Sequence, residues 1–356
     1  MRDRHLARLV VVAAMTPASL TLVSPSWACA CGALITRTDS GVNVAEETSI
    51  VRYDGRQEEI VMRLSVRSQA RDAAWLMPTP ARAQVTLGER TWFDQLDRLT
   101  EPTVVRHRHW LPRLDGRSSS GATAAPPGGG VGVLARQRLG PFEVTTLSAG
   151  DSRALATWLS AHGYRMPGRL AEALKPYVAQ RWTYTAIKLA PSQGRLTGQL
   201  DPLRIAFPSR AAIYPIRLSR LAKTPQSVHL YVLAPHRVQV SGLSGYGMAT
   251  TFAGRVAPSN VASPTLRTML GGGAFLTELV RQGIPPSAFT GDLRLDSTAD
   301  TPYREVETVD DGLVRFLGVP AFLWFTALGV VVLALLVLIL ARGAARARRG
   351  TSGTSP

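Results

Sequence analysis

The 356-residue chain is 45% hydrophobic and 19% charged, with a mean hydropathy of +0.04. That balance supports a sizeable folded core and excludes wholesale disorder. Its net charge of +16 invites a nucleic-acid reading, and its two cysteines, Cys29 and Cys31, exclude a disulfide scaffold and a four-cysteine zinc site.

In chain order, the basic start Met1–Arg8 is followed by an apolar stretch from Leu9 to about Val23 and then by Ser24-Pro-Ser-Trp-Ala28. Positive flank, apolar core and small residues at a cut are the pattern of a secretory signal over residues 1–28, with cleavage between Ala28 and Cys29. The run is shorter than the roughly 20 apolar residues a bilayer span needs, which disfavours an uncleaved anchor. A lipid-bearing Cys29 is the weaker alternative, because Ser26-Trp27-Ala28 lacks the leucine a lipobox places three residues before its cysteine.

The next elements belong to an N-terminal part of an ectodomain, residues 29–113. Thr48–Tyr53 and Glu58–Val66 flank Asp54-Gly55 as a hairpin, Ile60, Met62, Leu64 and Val66 forming its apolar face. Ala73–Pro80 reads as a strand ended by prolines, Thr91–Leu99 as a short helix and Thr103–Leu111 as a strand. Residues 114–133, rich in Ser, Ala, Pro and Gly, form a linker or long loop. In the C-terminal part, residues 134–318, a strand is expected at Phe142–Leu147. A helix capped by Asp151 follows to about His162, and a second helix runs over Pro167–Ala179. Trp182–Leu189, Leu203–Phe207, Ala212–Leu218 and Val228–Val240 are expected strands, and Ala274–Gln282 an expected helix after Gly271-Gly-Gly273. The ectodomain is thus α+β, β-rich with a few short helices, and lacks the βαβ alternation of a nucleotide-binding sheet.

A transmembrane helix follows at 319–341. Ala321–Ala341 carries no charge, and its 21 residues at about 1.5 Å each match a hydrocarbon core. Phe322, Trp324 and Phe325 mark one interface. Arg342, Arg346, Arg348 and Arg349 in the 342–356 tail mark the other and set the topology. Positive charge stays cytoplasmic, so the chain reads as a single-pass, type I protein of the cell membrane with its ectodomain outside.

Removing Arg2, Arg4, Arg8, the four tail arginines and Asp3 leaves 34 basic and 24 acidic residues, a net +10. These arginines are dispersed, which argues against nucleic acid and suits a solvated surface facing anionic lipid or an anionic wall polymer.

Six segments carry a family resemblance. They are Cys29-Ala-Cys-Gly32, Glu59-Ile-Val-Met-Arg-Leu64, Ala74–Pro80, Phe93–Thr100, Trp158–Tyr164 and Tyr214–Ser219. In this order the chain, from Cys29 to about Val240, resembles the bacterial DUF2330 family of secreted or membrane-anchored proteins of unknown function. The resemblance implies location and carries over no catalytic or binding residue.

Candidate chemistry is sparse. Cys29 and Cys31 can form a disulfide or a redox pair, and a C-x-C ring is strained and easily reduced. No third cysteine completes a soft-metal site, and no nearby Lys or His lowers a thiol pKa, so a structural or intermolecular disulfide is favoured. His107 and His109 share a strand face, but Arg106, Arg108 and Arg113 oppose a cation there. Ser241–Gly247 misses the nucleophile-elbow spacing, and Gly128–Gly130 and Gly271–Gly273 lack a P-loop ending. Glu58 and Glu59 point to opposite faces of one strand, and Asp310-Asp311 reads as a solvated juxtamembrane pair. No cofactor motif emerges. The reading is a non-enzymatic envelope module that binds another envelope protein or a wall polymer. A thiol protein using Cys29 and Cys31 and a structural wall-associated protein are the alternatives.

Overall fold

The computed structural model describes residues 28–29, 32–37, 42–68, 70–110, 138–139, 142–147, 152–189 and 197–350. Residues 1–27 of the expected signal segment, Cys31, Asp151, the 114–133 stretch and the residues after 350 lie outside the described residues.

Two sheets form the body. The first runs, edge to edge, Ala28–Cys29, Gly32–Ile35, Ala73–Thr79, Thr183–Leu189, Phe142–Leu147 and Arg138–Leu139, antiparallel throughout. The second runs Tyr303–Arg304, Ala249–Val256, Ala274–Ile284, Gln226–Ala234, Val42–Tyr53, Gln57–Ser68, Leu203–Pro208 and Gln84–Leu87, with Thr197–Gln199 also on Gln57–Ser68. Only its Gln226–Ala234/Val42–Tyr53 pair is parallel. Both sheets draw strands from before and after the 114–133 stretch.

Strand alternation explains how the layers stack. Ile60, Met62, Leu64 and Val66 of the second sheet meet Leu34, Trp75, Met77, Phe142 and Ile187 of the first in one core between the sheets. The opposite face of the first sheet, with Ala33, Ala74, Leu76 and Tyr184, is covered by other helices. Their residues Leu155, Leu159, Leu170, Leu174 and Tyr177 make a second core. The opposite face of the second sheet, with Ile50, Val61, Tyr231, Leu233 and Leu276, packs on Trp92, Phe93, Leu96, Leu266, Met269 and Leu270. In chain order the helices are α1 (Arg90–Thr100), α2 (Ser152–Ala161), α3 (Gly168–Ala179), α4 (Pro264–Leu270) and α5 (Ala321–Gly350). The layer order is therefore α2/α3, first sheet, second sheet, α1/α4.

The hairpin, α1, α2, α3 and the strands at 73–79, 103–109, 142–147, 183–189 and 203–208 fall where the sequence places them. Three elements differ, and the expected strand Val228–Val240 is one of them: it breaks at Pro235-His-Arg237 into Gln226–Ala234 of the second sheet and Val238–Ser241, which pairs with Leu293–Ser297. Ala274–Ile284 is a central strand, not a helix. Phe275, Leu276, Thr277, Glu278 and Leu279 are all buried because both faces of the strand are covered, so no period-2 pattern survives in the sequence. The expected strand at 212–218 is reduced to Ile213–Tyr214, because Pro215 ends the pairing and a 3₁₀ turn follows at Arg217–Leu221. The hairpin turn is also longer than Asp54-Gly55 alone. Tyr53 pairs with Glu58, and the Asp54 carboxylate accepts from the amides of Arg56 (3.0 Å) and Gln57 (2.8 Å). The Gln57 amide, outweighing the effect of burial, holds that carboxyl below its ordinary range, with the Arg56 amide and Arg52 adding to the effect.

Gly32 of the Cys-Ala-Cys-Gly segment is required by close packing. A Cβ there would sit 2.5 Å from the Leu76 carbonyl oxygen and 2.5 Å from Trp75 Nε1. Gly32→Ala is expected to cost about 1–3 kcal/mol of stability, read as a lower denaturation midpoint; an unchanged midpoint would contradict this packing.

Two acids lie in the inter-sheet core. Tyr214 donates to Glu47 and lies 2.7 Å from the Ser49 hydroxyl, and Glu47, Ser49 and Tyr214 are each 0% exposed. Glu58 accepts from the Ile213 amide at 3.1 and 3.2 Å. Burial pushes the Glu58 carboxyl well above the carboxylate range, and the Ile213 amide and Ser209 hydroxyl pull it only partly back. The unfolded chain releases this proton near pH 4.3 while the folded chain keeps it. Stability from this group is therefore fully present below about pH 4.3 and drains away as pH rises toward the folded value, by up to about 1.4 kcal/mol per unit. Glu58→Gln keeps the acceptor for Ile213 without the charge. It is expected to flatten the pH dependence and to raise the urea midpoint at neutral pH, whereas Glu58→Ala lowers it.

Candidate functional site

The outer face of the second sheet carries a cleft of about 380 Å³ lined by Arg52, Glu59, Arg204, Pro264, Thr265, Thr268 and Met269. Its floor comes from three adjacent strands. Arg52 pairs with Glu59 across the hairpin, and Glu59 pairs with Ala206, two residues from Arg204 on the same face. Its wall is α4, which begins at Ser263, whose hydroxyl caps the Leu266 amide (3.3 Å) and accepts from Trp92 Nε1 (3.1 Å). The helix ends at Gly271, with φ +56. Arg52 Nε donates to the carbonyl of Met269 (2.7 Å), satisfying one of the carbonyls a helix end leaves open. Arg52 also pairs with Asp54 at 3.2 Å.

Glu59 is 5% exposed and accepts from Arg204 Nη2 at 2.8 Å, yet its Oε1 has no hydrogen-bond partner, nor has the buried Arg204 Nε. The Glu59 bond raises the pKa of the Arg204 guanidinium and keeps it charged. The cleft is therefore lined by two guanidiniums and one buried carboxylate whose Oε1 is unpartnered but shielded from the cleft's open space. That arrangement suits an anionic group carrying a neighbouring hydroxyl or other donor.

The same face holds a closed polar network. Glu278 accepts from the Thr251 hydroxyl (2.7 Å) and bonds His229 Nε2 (2.7 Å), and Tyr231 donates to Asp97 of α1. Burial pushes Glu278 upward, but the His229 and Thr251 bonds outweigh it and hold the carboxyl below its ordinary range. On the other outer face a wider groove of about 880 Å³ runs along α2 beside Arg37 and Tyr164. There Asp72 already binds Arg37 Nε at 3.0 and 2.9 Å.

The sequence-derived candidates land apart from the cleft, Glu59 excepted. Cys29 lies in the edge strand Ala28–Cys29, paired with Gly32, and Cys31 is outside the described residues. His107 is exposed and paired with Asp310 in a parallel ribbon, where Asp311 meets Arg106 (3.9 Å) and Arg108 (3.6 Å). Asp311 is thus ion-paired and not merely solvated. Among the described residues no three His, Cys, Asp or Glu side chains converge on a metal position. Ser241 ends the strand Val238–Ser241, and Gly242–Gly247 is the loop that follows, with Gly242 at φ +113 and Gly245 at φ +73. Gly271–Gly273 ends α4, and Gly128–Gly130 lies outside the described residues. Arg342, Arg346, Arg348 and Arg349 fall on the last turns of α5, whose Ala321–Gly343 stretch is long and apolar enough to cross a membrane and is unburied. Glu58 and Glu59 do face opposite ways, Glu58 into the inter-sheet core and Glu59 into the cleft. Sequence reasoning missed Arg52, Arg204 and α4. The available signals were Ser263-Pro264 as a helix start and Gly271 as its stop.

A family model described as "Uncharacterized protein conserved in bacteria (DUF2330)" matches residues 25–296. The chain belongs to the DUF2330 family. The matched residues contain the whole cleft and end before the parallel ribbon's second strand and α5. No curated protein matches this DUF2330 chain. Among solved structures, baculovirus P35 is similar at 10% identity and a TM-score of 0.30, covering 75% of this chain and 97% of that one. A mutated baculovirus P35 after caspase cleavage gives 11%, 0.29, 73% and 98%. Likeness that low carries no argument about fold or function.

The Glu59–Arg204 pair yields a stability prediction. Arg204→Met leaves a buried carboxylate uncompensated and is expected to cost about 1–3 kcal/mol, discounted because Arg204 is partly exposed. Adding Glu59→Met is expected to restore most of the loss. Additive losses in the denaturation midpoints of the double-mutant cycle would refute the coupling.

Proposed function

We propose that this DUF2330 chain is a membrane-anchored, extracytoplasmic binding module. Its Arg52–Glu59–Arg204 cleft captures an anionic, hydroxyl-bearing group of another envelope component, a wall polymer foremost. The observation that carries the reading is the buried Glu59, which faces the cleft with one oxygen unpartnered beneath two arginines. The ligand's anionic group answers the guanidiniums, and a donor beside it meets Glu59 Oε1 once the buried carboxylate turns toward the cleft, so recognition is geometric as well as electrostatic. The signal-like N-terminus, the apolar α5 and the arginines that follow it support the anchored, outward-facing orientation.

Polygalacturonate, which carries carboxylates beside hydroxyls, is the probe. Arg52→Gln in the full chain in nanodiscs is expected to weaken its binding about tenfold or more, the worth of a charge-assisted bond. Arg165→Gln and Arg169→Gln, exposed on the other outer face, are expected to leave it nearly unchanged. Equal losses in all three variants, with binding abolished by moderate salt, would reduce the interaction to diffuse electrostatics and defeat the proposal.

A further inference from the structure

Thr103–His109 and Val306–Leu313 form a two-stranded parallel ribbon that joins the ectodomain to α5. Parallel pairs are normally covered on both faces, and a lone two-stranded ribbon is marginal in water. Here Val104, Val105 and Val306 are exposed. At the ribbon's far end the apolar surface becomes continuous with the spanning helix. Trp110, 55% exposed, has its ring centroid 6.1 Å from Phe316 and 6.2 Å from Phe325 of α5. Phe325 lies four residues into the helix, about 6 Å along its axis, so Trp110 shares the depth of the first helical turn. Trp324 Nε1 donates to the Phe316 carbonyl (3.2 Å), fixing the same cluster.

The hairpin between Arg315–Phe316 and Val319–Pro320 adds a second observation. Its tip is Leu317-Gly318, at φ +52 and φ +81. Such a turn favours Asn or Gly at its first position. Leu317 occupies the left-handed region and is 93% exposed. In water this placement combines backbone strain with a bare leucine. In a lipid interface the leucine and the aromatic rings are solvated by acyl chains and headgroups, as interfacial tryptophans are. Exposed Arg106, Arg108 and Arg315 lie close by in sequence, the first two paired with Asp311 at 3.9 and 3.6 Å.

We propose that Trp110, Phe316 and Leu317 are seated in the outer-leaflet interface, giving the ectodomain a second membrane contact that fixes its angle on α5. The inference rests on α5 crossing the bilayer. It is independent of what the cleft binds.

The full chain in nanodiscs of phosphatidylcholine and phosphatidylglycerol, with acyl chains brominated near the headgroup, reads the depth of each tryptophan. Trp110→Phe is expected to remove about as much bromine-quenched emission as Trp324→Phe, both substitutions keeping an aromatic ring in place. If Trp324→Phe removes quenched emission and Trp110→Phe does not, Trp110 lies in water and the seat is disproved while the anchor stands. If neither variant removes any, the anchor fails and the seat falls with it.

Discussion

Two stacked sheets have four faces, and in this chain all four are covered. One core glues the sheets together, and each outer face has its own helices and its own core. Everything else follows from that constraint. Strands such as Ala73–Thr79 are buried at every position, so they read as continuous apolar runs with no polar face. Polar residues that fall on these strands must find partners inside, which is why Glu47, Glu58, Glu59 and Glu278 are all buried.

Each buried acid meets that requirement differently, and the differences have consequences. Glu278 is closed off by His229 and Thr251, and beside it Tyr231 reaches Asp97, so this network ties α1 to the sheet. Asp292 accepts from Tyr177 of α3 (2.6 Å) and from the Arg217 amide (3.0 Å), tying the opposite helical layer to the 3₁₀ turn. Burial raises its carboxyl against the pull of Tyr177 and Arg217. Glu59 alone of these acids opens onto a cleft with an oxygen unpartnered, because α4, a seven-residue helix, covers only part of the sheet there. A group that stability alone would have paired is left without a partner, which is the kind of local inconsistency that marks a binding position.

How much of this was legible in the sequence depends on burial. α1, α2 and α3 have one wet side, and the hairpin's second strand keeps polar Glu59, Arg63 and Ser65 opposite Ile60/Met62/Leu64/Val66, so these periods and that of Trp92/Phe93/Leu96 show plainly. Ala274–Ile284 has none, and its Phe275, Leu276, Leu279 and Val280 mimic a helical stripe because both faces are covered. The cleft was hidden for another reason. Arg52 and Glu59 are neighbours only once the four-residue turn sets the register, and Arg204 arrives from a strand 145 positions from Glu59. The alternation of Glu58 and Glu59 was readable. That both would be buried was not, since it depends on the layers stacked above and below.

The covered outer face also explains how the ribbon is held relative to the body. α1 leads through Glu101 and Pro102 directly into Thr103–His109, and Thr103 donates to the Glu305 carbonyl at 2.8 Å. Arg304, paired in register with Phe252 at the sheet edge, sends its guanidinium to the carbonyls of Leu99 (3.0 Å) and Glu101 (2.5 Å). One arginine thus binds the C-terminal carbonyls of α1, the edge of the second sheet and the root of the ribbon. The ribbon leaves the body at a fixed angle set by these bonds, and at its other end Trp110 meets α5. A body clamped at one end of a short ribbon, with an apolar helix clamped at the other, presents the cleft beside α4 at a defined orientation relative to α5. Loosening Arg304 would free that orientation without touching the cleft, because none of its contacts involve Arg52, Glu59 or Arg204.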